Sequence, residues 1–288
     1  MNLFVNQLQH KPDARHLIYS GDIFLNTDLR AAHALCAFAR QCITDAFDGE
    51  TRHRELHTML PVAEFVDLVT ALKGRFTNCR EVKELIRDFV VEIGLDPAEY
   101  LFDVPRIRVV PRYDYLHAGV SYAYQPHRDT WYGGADGQIN TWMPVYTIDP
   151  DQTMMINPAY FSTPVRNSSV DWSLEEWITE QRPLAKANLT EETRVHPVPL
   201  EEISTASELR IAANSGELMT FSGAHLHGTV PNHTDQTRFS VDFRLVHLQD
   251  LLDGHGAVNV DSGAKDVEVG YKDLFSVQDF SQFEGVIR

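Results

Sequence analysis

The chain has 288 residues, 43% of them hydrophobic, which is enough for one large domain or two small ones with a sizeable core. Its formal net charge of −16 repels phosphate backbones and excludes nucleic acid as a natural partner; it also disfavours a highly anionic substrate unless a local basic pocket overrides it. No run of about 18 apolar residues is present, so no transmembrane helix is expected.

The N-terminal residues Met1 to Gln7 lack a basic segment followed by an apolar one, so no signal peptide is read there. Cys36, Cys42 and Cys79 are odd in number and lack metal-ligand spacing, which points to free thiols, a reducing compartment and the cytoplasm. The apolar run Leu17 to Leu25 predicts one or two edge strands around a Gly21-Asp22 turn. Residues 28–47 predict a helix, with Ala31, Ala34, Leu35, Phe38, Ala39 and Cys42 at three- and four-residue spacing and Gly49 as its stop. His53 to His57 reads as a loop. A second helix follows over 62–76 with Pro61 at its start, and a third is capped by Asn78, with Val82, Leu85, Ile86, Phe89 and Val90 on one face and Gly94 at its end.

From Leu101 the period changes to two. Ile107 and Val109 alternate with Arg106 and Arg108, and residues 138–146 place Gln138, Asn140 and Trp142 on one face of a strand. Short strands between Gly, Pro and Asp turns argue for a β-sandwich or barrel core. Residues 157–207 interrupt the strands; Ser173 to Glu176 matches a capping box, and an insertion this long reads as a lid or binding loop. Residues 209–212 and 217–221 predict a hairpin around Asn214-Ser215-Gly216, and 237–247 the final core strand. The tail, 249–288, is rich in Asp and Gly, with a weak helical stretch near its end.

Chemistry concentrates in Tyr124-Gln125-Pro126-His127-Arg128-Asp129-Thr130-Trp131. On an extended strand His127 and Asp129 point to one face, so an imidazole nitrogen and a carboxylate oxygen converge. They supply two ligands of a 2-His-1-carboxylate triad, which leaves open positions on a non-haem Fe(II). The third ligand is expected far downstream, and His225 and His227 in Ala224-His225-Leu226-His227-Gly228 both lie on one strand face. Trp131, Tyr132 and Trp142 are candidate walls of a substrate pocket, and Arg106, Arg108 and Asn140 candidate groups reaching a cofactor or substrate. His117, His196, His233, His247 and His255 have no spaced partners and read as surface histidines.

The ordered set of His127-x-Asp129, Leu226-His227-Gly228 ahead of Pro231-Asn232, and Arg238-x-Ser240 resembles the Fe(II)/2-oxoglutarate-dependent oxygenases, most closely the phytanoyl-CoA-hydroxylase-like branch, which includes natural-product hydroxylases and aliphatic halogenases. The resemblance covers about 106–248. It implies a double-stranded β-helix (jelly-roll, cupin-like) core over 101–248, within an α+β, mainly β chain of one domain spanning 1–288. Residues 1–100 would brace that core with helices, and 249–288 would form a C-terminal extension. It selects His227 over His225 as third ligand, which leaves His225 as a hydrogen-bonding neighbour. It assigns Arg238 and Ser240 to the distal carboxylate of 2-oxoglutarate, with Arg108 and Asn140 as further cofactor-binding candidates; a guanidinium supplies paired charge-assisted donors there and a hydroxyl adds another. Arg244 has the same parity and is the runner-up arginine, expected instead to be a surface or carboxylate-paired residue. Related halogenases replace the carboxylate of the HxD by a small residue; Asp129 is retained, so oxygen insertion is expected rather than halogenation.

The implied activity is hydroxylation of an unactivated C–H of a small natural-product or amino-acid-like metabolite, using O2 and releasing succinate and CO2, by a monomer or homodimer. Desaturation or cyclisation would use the same oxidant. A cupin-like metal-dependent isomerase or hydrolase without 2-oxoglutarate needs the triad but not Arg238 and Ser240. A non-catalytic metabolite-binding barrel needs neither.

Overall fold

The computed structural model describes residues 1–47, 49 and 52–285. Its centre is an eight-stranded, mostly antiparallel sheet. The strands are β1 (Leu3–Val5), β2 (Ile23–Asn26), β3 (Tyr100–Phe102), β4 (Arg106–Val110) and β5 (Gln138–Pro144), then β6 (Met154–Ile156), β7 (Leu209–Arg210), β8 (Leu218–Ser222), β9 (His227–Thr229), β10 (Arg238–His247) and β11 (Phe275–Ser276). The large sheet runs β1-β2-β8-β5-β10-β3-β11, with β4 also paired to β10; β6, β7 and β9 form a second sheet in the order β7-β6-β9.

The period-two pattern divides the large sheet into two faces. On β10, Phe239, Val241, Phe243 and Leu245 join Ile139 and Met143 of β5 and Ile107 and Val109 of β4 in the main core. The helices α2 (Arg30–Ala46), α3 (Val62–Asn78) and α4 (Arg80–Glu92) cover that face, burying Leu35, Phe65, Val69, Ile86 and Phe89. These helices sit where heptad-like spacing places them, and Gly94 (φ +82°) follows α4. Cys79, not Asn78, is the cap between α3 and α4, with extended φ and ψ. On the opposite face, Trp142 of β5 and Met219 and Phe221 of β8 pack against Met154 and Ile156 of the second sheet. The remaining cavity between the two sheets holds the polar residues described below.

Three expectations are corrected. The first third of the run Leu17 to Leu25 is helical, since α1 covers Ala14–Tyr19, and its one strand, β2, lies inside the sheet between β1 and β8 rather than at an edge, after Gly21 turns the chain at φ +93°. The predicted hairpin around Asn214-Ser215-Gly216 is absent, because β7 pairs β6 in the second sheet while β8 pairs β5 and β2 in the first. The connecting turn therefore crosses between sheets instead of folding one back on itself. His53–Thr58 is a 3-10 turn rather than an open loop.

In the insertion, Ser173 accepts from the Glu176 N–H as a capping box requires. The helix it starts, α5 (Leu174–Glu176), continues as a π-turn over Trp177–Gln181 and a 3-10 turn over Arg182–Lys186. The tail contains α6 (Leu248–Asp253), a 3-10 turn at Val267–Asp273, and β11. The expected helical stretch, where it reaches 286–288, lies outside the described residues. No helix among the described residues is long and apolar enough to cross a membrane.

Candidate metal centre

His127 does not sit in a long strand. It forms an isolated antiparallel bridge with His227, each N–H donating to the other's carbonyl at 2.8 Å. Arg128 remains extended, and Asp129 opens a 3-10 turn over Asp129–Tyr132 that Gly133 closes in the left-handed region (φ +77°). The i, i+2 geometry thus survives over the only two residues that need it. The Asp129 N–H donates to the Gly223 carbonyl at 2.9 Å, which ties the turn to the chain just after β8.

The three side chains converge. Asp129 Oδ1 lies 3.6 Å from His127 Nε2 and 3.7 Å from His227 Nε2. Among the described residues these are the one group of three or more His, Cys, Asp or Glu side chains whose ligand atoms all lie within 4.8 Å. What lies behind each atom explains its orientation. His127 Nδ1 is 2.8 Å from the Gln125 carbonyl, and His227 Nδ1 is 2.8 Å from the His225 carbonyl. A carbonyl only accepts, so each Nδ1 carries the proton and each Nε2 turns its lone pair inward. Asp129 Oδ2 accepts from Gln138 Nε2 and Asn140 Nδ2, each at 2.7 Å, with Arg244 Nε at 3.8 Å. Oδ1 is left facing the histidines.

Electrostatics keep this set ready for a cation. Burial alone would raise the Asp129 carboxyl, but Arg244 and the two histidines outweigh it and hold the group well below the usual carboxylate range. Burial and the neighbouring His127 push His227 down to about 4, so its imidazole is neutral at pH 7. Two neutral imidazoles and one carboxylate suit Fe(II) and similar divalent ions and leave positions open.

The triad opens into a cavity of about 500 Å³ between the sheets. Of the predicted site residues, Arg108, Asn140, Trp142 and Arg238 line it with the triad. Arg238 is 4% exposed; Nη1 donates to the Thr153 carbonyl at 2.8 Å, while Nε has no partner. Ser240 has the same parity on β10 but is fully buried and is not among the residues that line the cavity; its Oγ also lacks a partner among the described residues. Arg108 forms a bidentate pair with Asp242, at 2.7 and 3.0 Å. Asn140 reaches the carboxylate of Asp129 rather than open space. Arg244 is carboxylate-paired as expected, with Asp103 at 3.0 Å.

Trp131 stands outside the cavity. It is fully buried against Val165 and Leu226, and its Nε1 donates to Asp261 at 2.6 Å. The next residue, Tyr132, takes the place expected of it. His225 is not among the converging ligands; its Nε2 is 3.1 Å from the Gly21 carbonyl. Nor is His196 a surface residue. It is buried, stacked on Tyr122 at 4.0 Å between ring centres, and hydrogen-bonded to Tyr132 Oη at 3.0 Å. Tyr122, Tyr124, Tyr132, Trp172 and Trp177 form an aromatic wall, two members of which come from the insertion. Sequence reading named Tyr132 but missed the other four, because they are separated in the chain and share no period.

No family model matches this chain, and no curated protein matches it. Among solved structures it is similar to the non-heme monooxygenase ThoJ in a nickel complex, with 13% identity, 75% of this chain and 69% of that chain covered, and a TM-score of 0.41. EvdO2 from Micromonospora carbonacea var. aurantiaca, complexed with 2-oxoglutarate, gives 12% identity, 60% and 62% coverage, and 0.40. The epimerase SnoN, in complex with Fe3+, alpha ketoglutarate and nogalamycin RO, gives 11% identity, 82% and 85% coverage, and 0.43.

Proposed function

We propose that the protein is a non-haem Fe(II)/2-oxoglutarate-dependent dioxygenase that hydroxylates an unactivated C–H of a small metabolite, releasing succinate and CO2. In this reading the chain is one domain, 1–288, and its two sheets form a jelly-roll core. The observation that carries the proposal is that the converging triad shares one cavity with Arg238, a buried guanidinium with an unsatisfied nitrogen. Three ligand atoms converge with every opposing atom already engaged. Arg238 Nε, and Ser240 Oγ two residues on along β10, are buried with no partner among the described residues.

His127 Nε2, His227 Nε2 and Asp129 Oδ1 would hold Fe(II). Bound iron, with its co-substrate and O2, supplies the oxidising chemistry. Arg238 and Ser240 would take the distal carboxylate of 2-oxoglutarate. A buried, unpartnered guanidinium nitrogen and hydroxyl are costly unless a ligand satisfies them, and a carboxylate satisfies both. Burial and the neighbouring Arg108 push Arg238 down to about 10, which leaves it protonated at neutral pH. Asn140 acts through Asp129, holding one oxygen so that the other faces the metal. Because Asp129 supplies a carboxylate, it would serve as the third protein ligand and would leave no place for a halide in its stead. Both sheets and the insertion contribute residues to the lining of the cavity around the centre.

The test is the anaerobic absorption spectrum of the protein with Fe(II), before and after 2-oxoglutarate. A weak visible charge-transfer band is expected on addition. It should vanish in His127→Ala and need roughly 10- to 100-fold more 2-oxoglutarate in Arg238→Ala, the range lost with a charge-assisted hydrogen bond. Bound iron with no band would overturn the co-substrate assignment and bring forward a metal-dependent isomerase or hydrolase.

A further inference from the structure

The cavity is cationic, although the chain is strongly acidic. Lys73, Arg106, Arg108, Arg182, Arg194, Arg238 and Arg244 line it, against Asp103, Asp129, Asp242 and Asp273. Most of these cations are neutralised in place. Arg106 and Arg244 pair with Asp103, Arg108 with Asp242, Arg182 with Asp273 and Arg194 with Glu192. Among the described residues two cations lining the cavity have no carboxylate partner. One is Arg238, which the proposed co-substrate would occupy. The other is Lys73 of α3, whose Nζ donates only to the Val120 carbonyl.

Lys73 stands where the aromatic wall begins. The same short segment is gripped by Arg194, whose Nη2 donates to the Gly119 carbonyl at 2.9 Å, and by Glu192, which accepts from the Gly119 N–H at 2.8 Å. Tyr122 follows two residues after Val120, and Arg194 packs over the rings of Tyr122 and Trp177 at 6.0 and 5.4 Å. An unneutralised ammonium thus adjoins a surface of flat rings. Burial, and then Arg108, push the Lys73 ammonium down to about 7, so an arriving anion would favour the protonated form.

We propose that Lys73 is the anion-binding group of the substrate site, and that the substrate is a small acid with a flat, apolar body lying against Tyr122, Tyr132 and Trp177. This deepens the functional reading above and rests on it for the reaction, though not for the binding. It meets the exception attached to the expectation from net charge, since a local basic pocket supplies what the surface lacks.

The test uses the full chain, with phenylacetate and its neutral amide phenylacetamide as matched probes. Binding of each is measured by calorimetry at pH 6.5, with and without Fe(II) and 2-oxoglutarate under anaerobic conditions. The wild type should bind phenylacetate about 10- to 100-fold more tightly than phenylacetamide, the range of a charge-assisted contact. Lys73→Met, which keeps the buried stem, should abolish that preference, and Lys73→Arg should restore most of it. Neither variant should move the 2-oxoglutarate titration of the visible band by more than about twofold. An equal affinity of the wild type for both probes would overturn the proposal, as would a Lys73→Met variant that keeps the preference. A large shift in the 2-oxoglutarate titration would overturn it differently, by placing Lys73 in the co-substrate site. If no band forms in the wild type, the dioxygenase reading fails, while the probe preference of the metal-free protein still decides the role of Lys73.

Discussion

Asp129 shows how much of the candidate metal site lies in residues that would never touch the metal. Its Oδ2 takes two amide donors from β5, Gln138 and Asn140, and Gln138 Nε2 also donates to Asn140 Oδ1 at 2.8 Å. The carboxylate is therefore clamped at one oxygen, and its rotation costs two hydrogen bonds. Removing one donor while preserving shape should loosen the ligand without emptying the core. Asn140→Leu is expected to weaken Fe(II) binding by about 10- to 100-fold, as for other residues that orient metal ligands. An anaerobic metal titration that gave unchanged affinity would show that Gln138 alone suffices. His127 and Asp129 were legible in the sequence because their spacing is local. The choice between His225 and His227 needed the family pattern, and the structure separates them by what each Nε2 faces. The role of Gln138 was not legible. It depends on the Gly133-Gly134 turn bringing β5 back beside the HxD, where a Cβ on Gly134 would lie 2.8 Å from Gln138 Oε1.

At the scale of elements, the C-terminal extension holds the ligand segment in a way that no local pattern announces. Asp261 accepts from Arg128 Nε at 3.1 Å, from Trp131 Nε1 at 2.6 Å and from the Val165 N–H at 2.9 Å. Arg128 stands between the ligands His127 and Asp129, is 1% exposed, and also donates to the carbonyls of Ala224, Tyr160 and Thr163. One residue of the tail thus joins the ligand segment to the insertion. The helices were readable because 3.6-residue periodicity is a local signal. This clamp was not, since its partners lie 133 positions apart. The same holds for the absent hairpin at 209–221, where turn chemistry suggested local pairing and sheet-to-sheet packing prevailed. Asp261→Asn would leave the Arg128 charge buried without its counter-ion. A loss of about 3–5 kcal/mol is expected from breaking such a pair, together with weaker metal binding. Chemical denaturation and metal titration of the one variant measure both. Loss of stability with intact metal affinity would confine the clamp to folding.

For the whole molecule, acidity and buried histidines pull stability in opposite directions as pH falls. The surface carries most of the net charge of −16, and protonating carboxylates relieves repulsion there. Inside, burial lowers His57 and His196, pushes His225 to about 3, and pushes His227 to about 4. A histidine whose folded pKa lies below its unfolded value of about 6.5 binds fewer protons when folded. Between about pH 6.5 and 4 the unfolded chain therefore takes up more protons, and stability must fall as pH falls. At pH 5 each of His225 and His227 costs about 2 kcal/mol relative to pH 7 by this linkage. Surface repulsion is screened within a Debye length of about 8 Å at 0.15 M salt, whereas buried imidazoles are not. The interior term should therefore win at that ionic strength. The metal-free protein is expected to lose several degrees of Tm between pH 7 and 5, and His225→Gln should flatten the slope, since an amide side chain at that position has no proton to gain. A Tm that stays level or rises toward pH 5 in the wild type at 0.15 M salt would mean that surface charge outweighs the buried histidines.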